Sequence, residues 1–208
     1  MLLCPDCLVA PEERDPTLLY IASQYGDLPL VQALLQAGTD VDKGRNDGTT
    51  PLLVASYNGN LHVVQALMLA GADVDKAMDS GATPLFIASQ NGHVPVVQAL
   101  LQGGADVDKA MDSGCTPLNI ASQKGLVPVV QALLQAGTDV DKARDDGTTP
   151  LCIASHNGHV PVVQALLQAG ANVAEQEQEE EQEQEQEQEE EHKQEQEQKQ
   201  EQDGAEAK

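Results

Sequence analysis

Aromatic and basic side chains are scarce in this sequence. It has no tryptophan, one phenylalanine and three tyrosines, and its 11 lysines and arginines face 34 aspartates and glutamates, for a formal net charge of −23. Stacking on bases needs aromatic rings, and binding phosphates needs positive charge. The composition therefore argues against direct nucleic-acid binding.

Long apolar runs are also missing. No run approaches the roughly 18 residues that a membrane-spanning helix requires, so the sequence predicts no membrane span. Residues 1–14, MLLCPDCLVAPEER, lack a basic start, and Pro5 and Asp6 interrupt their apolar stretch. Because these features differ from those of a signal peptide, we expect a cytoplasmic protein with reduced thiols, with a nuclear location as the alternative.

Cysteine is limited to four residues. Cys4 and Cys7 form a lone C-x-x-C pair, but a tetrahedral structural zinc site needs four ligands, and no second pair follows. We therefore predict no metal and no cofactor, and we interpret residues 1–14 as a poorly ordered leader.

What the sequence does contain is a repeated unit of 33 residues, clearest from Ala82 to Gly114. It returns as Cys115 to Gly147 with 25 of 33 positions unchanged. Prolines mark the same step through most of the chain, at Pro51, Pro84, Pro117 and Pro150. A fixed period in this range is typical of stacked helical or strand units.

Each unit predicts two short helices. Thr83 before Pro84 is typical of a helix N-cap followed by proline in the first turn, and Gly92 predicts a left-handed helix end. Pro95 opens a second apolar segment that Gly104 ends, and the remaining turn-forming residues predict a loop. One unit has too few apolar side chains to offset the entropy of ordering it, so the units must stack.

The repeated motifs resemble the ankyrin repeat. They are T-P-L at 50–52, 83–85, 116–118 and 149–151, V-V-x-x-L-L, G-A-D-V-D, and D-G or S-G before T-P-L. The resemblance covers about residues 15–174 and implies an all-α solenoid of helix-turn-helix units with projecting β-turn loops. We place the repeats at 15–48, 49–81, 82–114, 115–147 and 148–174.

The sequence departs from the family pattern after T-P-L. The family has a histidine there that ties neighbouring loops, and this chain has other residues: Tyr20, Leu53, Phe86, Asn119 and Cys152. The resemblance therefore implies that the hydrogen bonds by which this histidine ties neighbouring loops are missing. The loops also repeat aspartate and lysine side by side, as in Asp75–Lys76 and Asp108–Lys109, and we interpret these aspartates as tolerated charges that need no metal.

Positions that differ between units are the candidates for specificity. By the resemblance they line the concave face, where partners of this family usually bind, although sequence drift is the competing explanation for any single one. The candidates for partner binding are Arg45, Asn46, Tyr57, Met78, Phe86, Gln90, Met111, Cys115, Asn119, Lys124, Arg144, Cys152 and His156.

No catalytic constellation stands out. Cys152 and His156 are four residues apart, which places both side chains on one face of a helix. Phe86 and Gln90 occupy the same two positions in another repeat, so the spacing belongs to the repeat and does not indicate a catalytic pair. His93 and His159 follow the turn glycines and are expected to make local hydrogen bonds. No phosphate-binding glycine motif occurs, and we predict a protein that is not an enzyme.

Two features remain at the end of the chain. Val162, Val163, Leu166 and Leu167 would leave an apolar surface on the last repeat. Three explanations stay open: the tail covers it, another chain covers it by end-to-end contact, or this end of the stack frays. Residues 175–208 hold 16 acidic residues and three lysines and predict a disordered or partly helical tail. The leading hypothesis is a scaffold or adaptor that binds another protein; the alternative is an acidic-tail chaperone or decoy for basic proteins.

Overall fold

The computed structural model describes residues 17–173, and every regular element within that range is an α-helix. The helices are α1 (Leu18–Tyr25), α2 (Leu28–Gln36), α3 (Pro51–Asn58), α4 (Leu61–Leu69), α5 (Pro84–Gln90), α6 (Val94–Gln102), α7 (Pro117–Gln123), α8 (Val127–Gln135), α9 (Pro150–His156) and α10 (Val160–Gln168). The chain divides into two units, Met1–Ala171 and Asn172–Lys208. The first holds all ten helices, and the predicted leader and acidic tail lie outside the described residues.

A threonine caps the first helix of every pair. Thr83 Oγ1 accepts the Phe86 N–H at 3.2 Å, and Pro84 takes the first helical position, where its missing N–H leaves no hydrogen bond unmade. The same cap recurs at the other four pairs, at Thr17, Thr50, Thr116 and Thr149. The predicted helix starts at Thr-Pro are therefore confirmed.

A glycine makes the tight turn between the two helices of each pair. Gly92 has φ +75°, a left-handed conformation that favours glycine, as predicted. The second helix begins at Val94, one residue before the predicted start at Pro95. Proline fits there because the first helical N–H groups have no partner within the helix.

The helices form two layers. The first helices of the pairs (α1, α3, α5, α7, α9) pack in series, each against the next, and the second helices (α2, α4, α6, α8, α10) do the same. One core cluster runs between the layers and takes a leucine from each first helix, fully buried or nearly so: Leu19, Leu52, Leu85, Leu118 and Leu151. Each pair thus buries its apolar side chains against its neighbours, as the stacking argument requires.

The apolar residues predicted to end the last pair differ in exposure. Val162 and Leu166 are fully buried members of the core cluster, Val163 is half-buried and Leu167 is 43 % exposed, while Val160 on the same helix is 59 % exposed. The spacing of the apolar residues on α10 turns two of them inward, toward α8 and α9.

Side chains at the turns link successive pairs. His93 Nε2 donates to the Tyr57 carbonyl oxygen at 2.9 Å, and His159 Nε2 donates to that of Gln123 at 3.0 Å. Leu126 holds the equivalent place between them and packs near Gly92 instead. The histidine hydrogen bonds are therefore links between repeats, not the local bonds expected from the sequence.

A column of serines lies near the ends of the first helices. Four of them are fully buried, and their hydroxyl oxygens have no hydrogen-bond partner among the described residues: Ser23, Ser56, Ser89 and Ser122. Because a buried hydroxyl without a partner opposes folding, these serines are the positions where alanine is expected to stabilise the stack.

Candidate functional site

The loops between the helix pairs are tied to one another by main-chain hydrogen bonds. The Asp112 N–H donates to the Ser80 oxygen of the preceding loop at 3.3 Å, and the Asp79 N–H donates to the Asp47 oxygen at 3.0 Å. Each loop also closes a β-turn, such as the Gly81 N–H to Met78 oxygen bond of 2.8 Å. The loop tips therefore form a continuous edge, and the predicted β-turns are confirmed.

The repeated aspartates form a second set of ties. Both carboxylate oxygens of Asp75 accept the Asp106 N–H, at 3.1 and 3.3 Å, and Asp42 and Asp108 bind the next loop in the same way. The interpretation that these aspartates are merely tolerated was wrong. They are acceptors for backbone donors of the next repeat, and charge strengthens such bonds.

The lysines beside them bond to main chain as well. Lys109 Nζ donates to the Asp75 carbonyl oxygen and Lys142 Nζ to that of Asp108, both at 3.0 Å. Lys109 therefore binds the main chain of Asp75, and the Asp75 side chain binds the following loop. Lys142 binds the main chain of Asp108 in the same way.

Asn119 supplies a tie at the position after T-P-L. Its Oδ1 accepts the Thr116 N–H at 2.8 Å, and its Nδ2 donates to the Lys142 oxygen of the next loop at 3.2 Å. The expectation that loop ties are missing is thus wrong at this repeat, because an amide replaces the imidazole. Asn119 is fully buried, so its side chain is not placed to touch a partner.

An apolar groove opens between the loops and the first helices α5 and α7. Its floor is a cluster of Ala82, Phe86, Cys115 and Ile120, with Met78, Ile87 and Met111 packed against it. The groove has a volume of about 600 Å³, and serines, Gln90 and the charged residues of one loop complete its lining: Ser80, Ser113, Arg144, Asp145 and Asp146.

Arg144 and Cys115 both line the groove. The Arg144 guanidinium donates to Gln123 Oε1 at 2.9 Å, while its Nε is buried without a hydrogen-bond partner among the described residues. Cys115 lies in the groove floor, and desolvation by burial raises the pKa of its thiol. Cys115 is therefore a neutral, apolar part of the floor at physiological pH.

The structure brings together six of the thirteen candidate residues. Those lining the groove are Met78, Phe86, Gln90, Met111, Cys115 and Arg144. Arg45 lies one loop away, with its guanidinium 6.0 Å from the centre of the Tyr20 ring. The others outside the groove are Asn46, Tyr57, Lys124 and His156, which are exposed, Cys152, which is half-buried, and Asn119.

Ile87 and Ile120 line the groove and are absent from the sequence-based candidates. The candidates are positions that differ between repeats, whereas isoleucine recurs at this position, as in Ile153. A search for apolar residues beside variable positions would have found them.

Residues 17–173 offer neither a metal site nor a membrane span. No group of three or more histidine, cysteine or acidic side chains there could hold a metal ion. No helix in the same range is both long and apolar enough to cross a membrane. Cys4 and Cys7 lie outside this range.

Comparison with known proteins gives one positive finding. The family model described as ankyrin repeats (3 copies) matches residues 18–111 and 103–177. No curated protein matches this chain.

Proposed function

Since this chain belongs to the ankyrin-repeat family, whose repeats are general protein-interaction modules, we propose that it is a scaffold or adaptor that binds another protein. The binding surface consists of the loop tips and first helices, which the family resemblance places on the concave face. The family is typically not enzymatic, and the proposal assigns no catalysis to the chain.

The groove around Met78 and Met111 carries this proposal. Apolar side chains elsewhere in the stack are mostly directed into the core between the helix layers. Here a separate apolar cluster, buried itself, forms the floor of a groove, with the half-buried Met78, Ile87 and Met111 packed against it and polar loop residues completing the lining. A concave apolar surface with a few polar side chains around it is a common form of binding site.

The test is affinity capture with the full-length chain and matched variants. Met78→Gln with Met111→Gln makes the groove polar, and both side chains are half-buried, so the fold should tolerate the change. Leu69→Gln is the control, because Leu69 is 90 % exposed on α4, and glutamine is the residue found there in the other repeats. We expect the methionine variant to lose the captured protein and the leucine variant to keep it.

The composition of residues 175–208 favours a second candidate, a decoy or chaperone for basic proteins. Sixteen acidic residues and three lysines in that segment would attract positive partners. Deleting 175–208 distinguishes the two functions. The decoy would lose its partner on deletion and would be much more sensitive to salt, whereas the scaffold would keep its partner.

A further inference from the structure

The loops in the middle of the stack differ in charge from the loops at its ends. At one register position the residues are Arg45, Met78, Met111 and Arg144, and two places further along they are Asp47, Ser80, Ser113 and Asp146. The two middle loops are thus apolar or neutral where the outer two are charged. The apolar stretch spans two repeats, which is about 20 Å at one helix diameter per repeat, or about six residues of extended chain.

Methionine suits the middle of this surface. Its unbranched, polarisable side chain adapts to apolar groups of different shape. Met78 and Met111 pack against the cluster that contains Phe86 and Ile120, and the groove volume of about 600 Å³ exceeds that of one large side chain.

The charges around the groove are mostly negative. Asp79 and Asp112 are exposed next to the two methionines, and Asp145 and Asp146 line the groove beside Arg144. Four carboxylates and one guanidinium make a formal charge of −3. No salt bridge within residues 17–173 includes any of these four carboxylates, while Gln123 already accepts a hydrogen bond from Arg144. A positive side chain of a partner would therefore find carboxylates ready to pair.

Asp146 keeps its charge especially well. Its carboxylate accepts the Thr148 N–H at 2.9 Å, and hydrogen bonding to Thr148 lowers its pKa below the ordinary value. Asp146 is therefore negatively charged across the physiological pH range.

We infer that the groove takes a short segment of a partner protein that places a large apolar side chain between Met78 and Met111, with lysine or arginine beside it against Asp145 and Asp146. This inference rests on the proposed function and specifies its partner. An acidic segment would meet the same carboxylates and be repelled, so the partner class is basic and apolar.

The inference can be tested by panning phage-displayed random dodecapeptides against the immobilised full-length chain. An excess of free peptide 175–208 in solution removes phage that bind the acidic tail alone. We expect the enriched peptides to share a leucine, methionine, phenylalanine or tryptophan with lysine or arginine within three residues. Acidic or uncharged enriched peptides, or no enrichment, would overturn the inference.

Affinity measurements then assign the contacts. Using one enriched peptide and fluorescence anisotropy, we expect Met78→Gln with Met111→Gln to weaken binding about tenfold or more. Asp145→Asn and Asp146→Asn should each weaken it about 1.5- to fivefold at low salt. Asp47→Asn is the control, because Asp47 accepts a hydrogen bond from Thr49 just as Asp146 does from Thr148, but in the first loop.

Equal binding by all variants, or an equal loss in Asp47→Asn and Asp146→Asn, would overturn the inference. The proposed function fails separately. If protein capture still depends on Met78 and Met111 while the selected peptides are not basic, the scaffold function stands and only the partner chemistry is wrong.

Discussion

The terminal methyl group of Met68 occupies the space that a side chain at position 103 would need. A Cβ added to Gly103 would overlap Met68 Cε. In the other repeats the equivalents of Met68 are leucines, and those of Gly103 are alanines, as in Leu101 and Ala136. The two substitutions are therefore complementary. Gly103 lacks the methyl group of alanine at the place where Met68, in the neighbouring repeat, has a longer side chain than leucine.

The first prediction is that positions 68 and 103 are energetically coupled. Gly103 has φ −78°, so alanine fits its backbone and should stabilise the fold by about 0.4–1 kcal/mol through the unfolded state. With Met68 present, displacement of its flexible methyl group should cancel much of that gain. In the Met68→Leu background the full gain should appear, as measured by chemical denaturation of the four proteins. Additivity within about 0.3 kcal/mol would contradict the coupling.

The second prediction concerns the aspartate ties. Asp75→Ala removes both acceptors of the Asp106 N–H and should destabilise the stack by about 1–2 kcal/mol, and Asp75→Asn should cost less because one oxygen remains. Hydrogen exchange at the Asp106 amide should accelerate in the alanine variant. Asp79→Ala is the control, since the carboxylate of Asp79 accepts no hydrogen bond from the other described residues. Unchanged exchange at Asp106 would argue against the tie.

The third prediction is that a serine of the buried column lowers stability. Ser89→Ala removes a buried hydroxyl that has no partner and should raise the free energy of unfolding by about 1 kcal/mol. Ser155, its equivalent in the last pair, is exposed, so Ser155→Ala should change it by less than about 0.5 kcal/mol. A destabilised Ser89→Ala would indicate that the hydroxyl binds a buried water molecule.

The fourth prediction is a loss of stability in acid. Hydrogen bonding to Thr49 lowers the pKa of Asp47 below its ordinary value, and Thr148 does the same for Asp146. Because the folded pKa is lower, this stabilisation is present above the ordinary value and is lost as pH falls through the folded pKa. The melting temperature of the wild type relative to Asp47→Asn should therefore fall between about pH 5 and about pH 2. A constant difference across that range would contradict the assignment.

Local signals were enough to predict the helices. Thr83, Pro84 and Gly92 each act within one helix turn, so their structural effect can be read from neighbouring residues. The start of the second helix was wrong by one residue, because proline is accepted at either of its first two positions.

The ties between loops were harder to predict because they depend on residues far apart in the chain. Asp75 binds a backbone N–H 31 residues later, and nothing in the composition of a loop reveals which carboxylate will face the next one. Asn119 was proposed as a partner contact because it differs from its equivalents. Its burial depends on the depth of that position below the loop, which a comparison of repeats cannot measure.

The main contacts of each helix are with its partner in the pair and with the adjacent pairs. A stretching force applied to the two ends of such a stack is carried through each junction in turn, because within residues 17–173 no strand or helix bridges distant repeats. The junction at Leu126 lacks the histidine hydrogen bond found on either side of it. Because the force passes through one junction after another, the stack under tension in an optical trap should lengthen in increments of about one repeat, or about 110 Å of released chain.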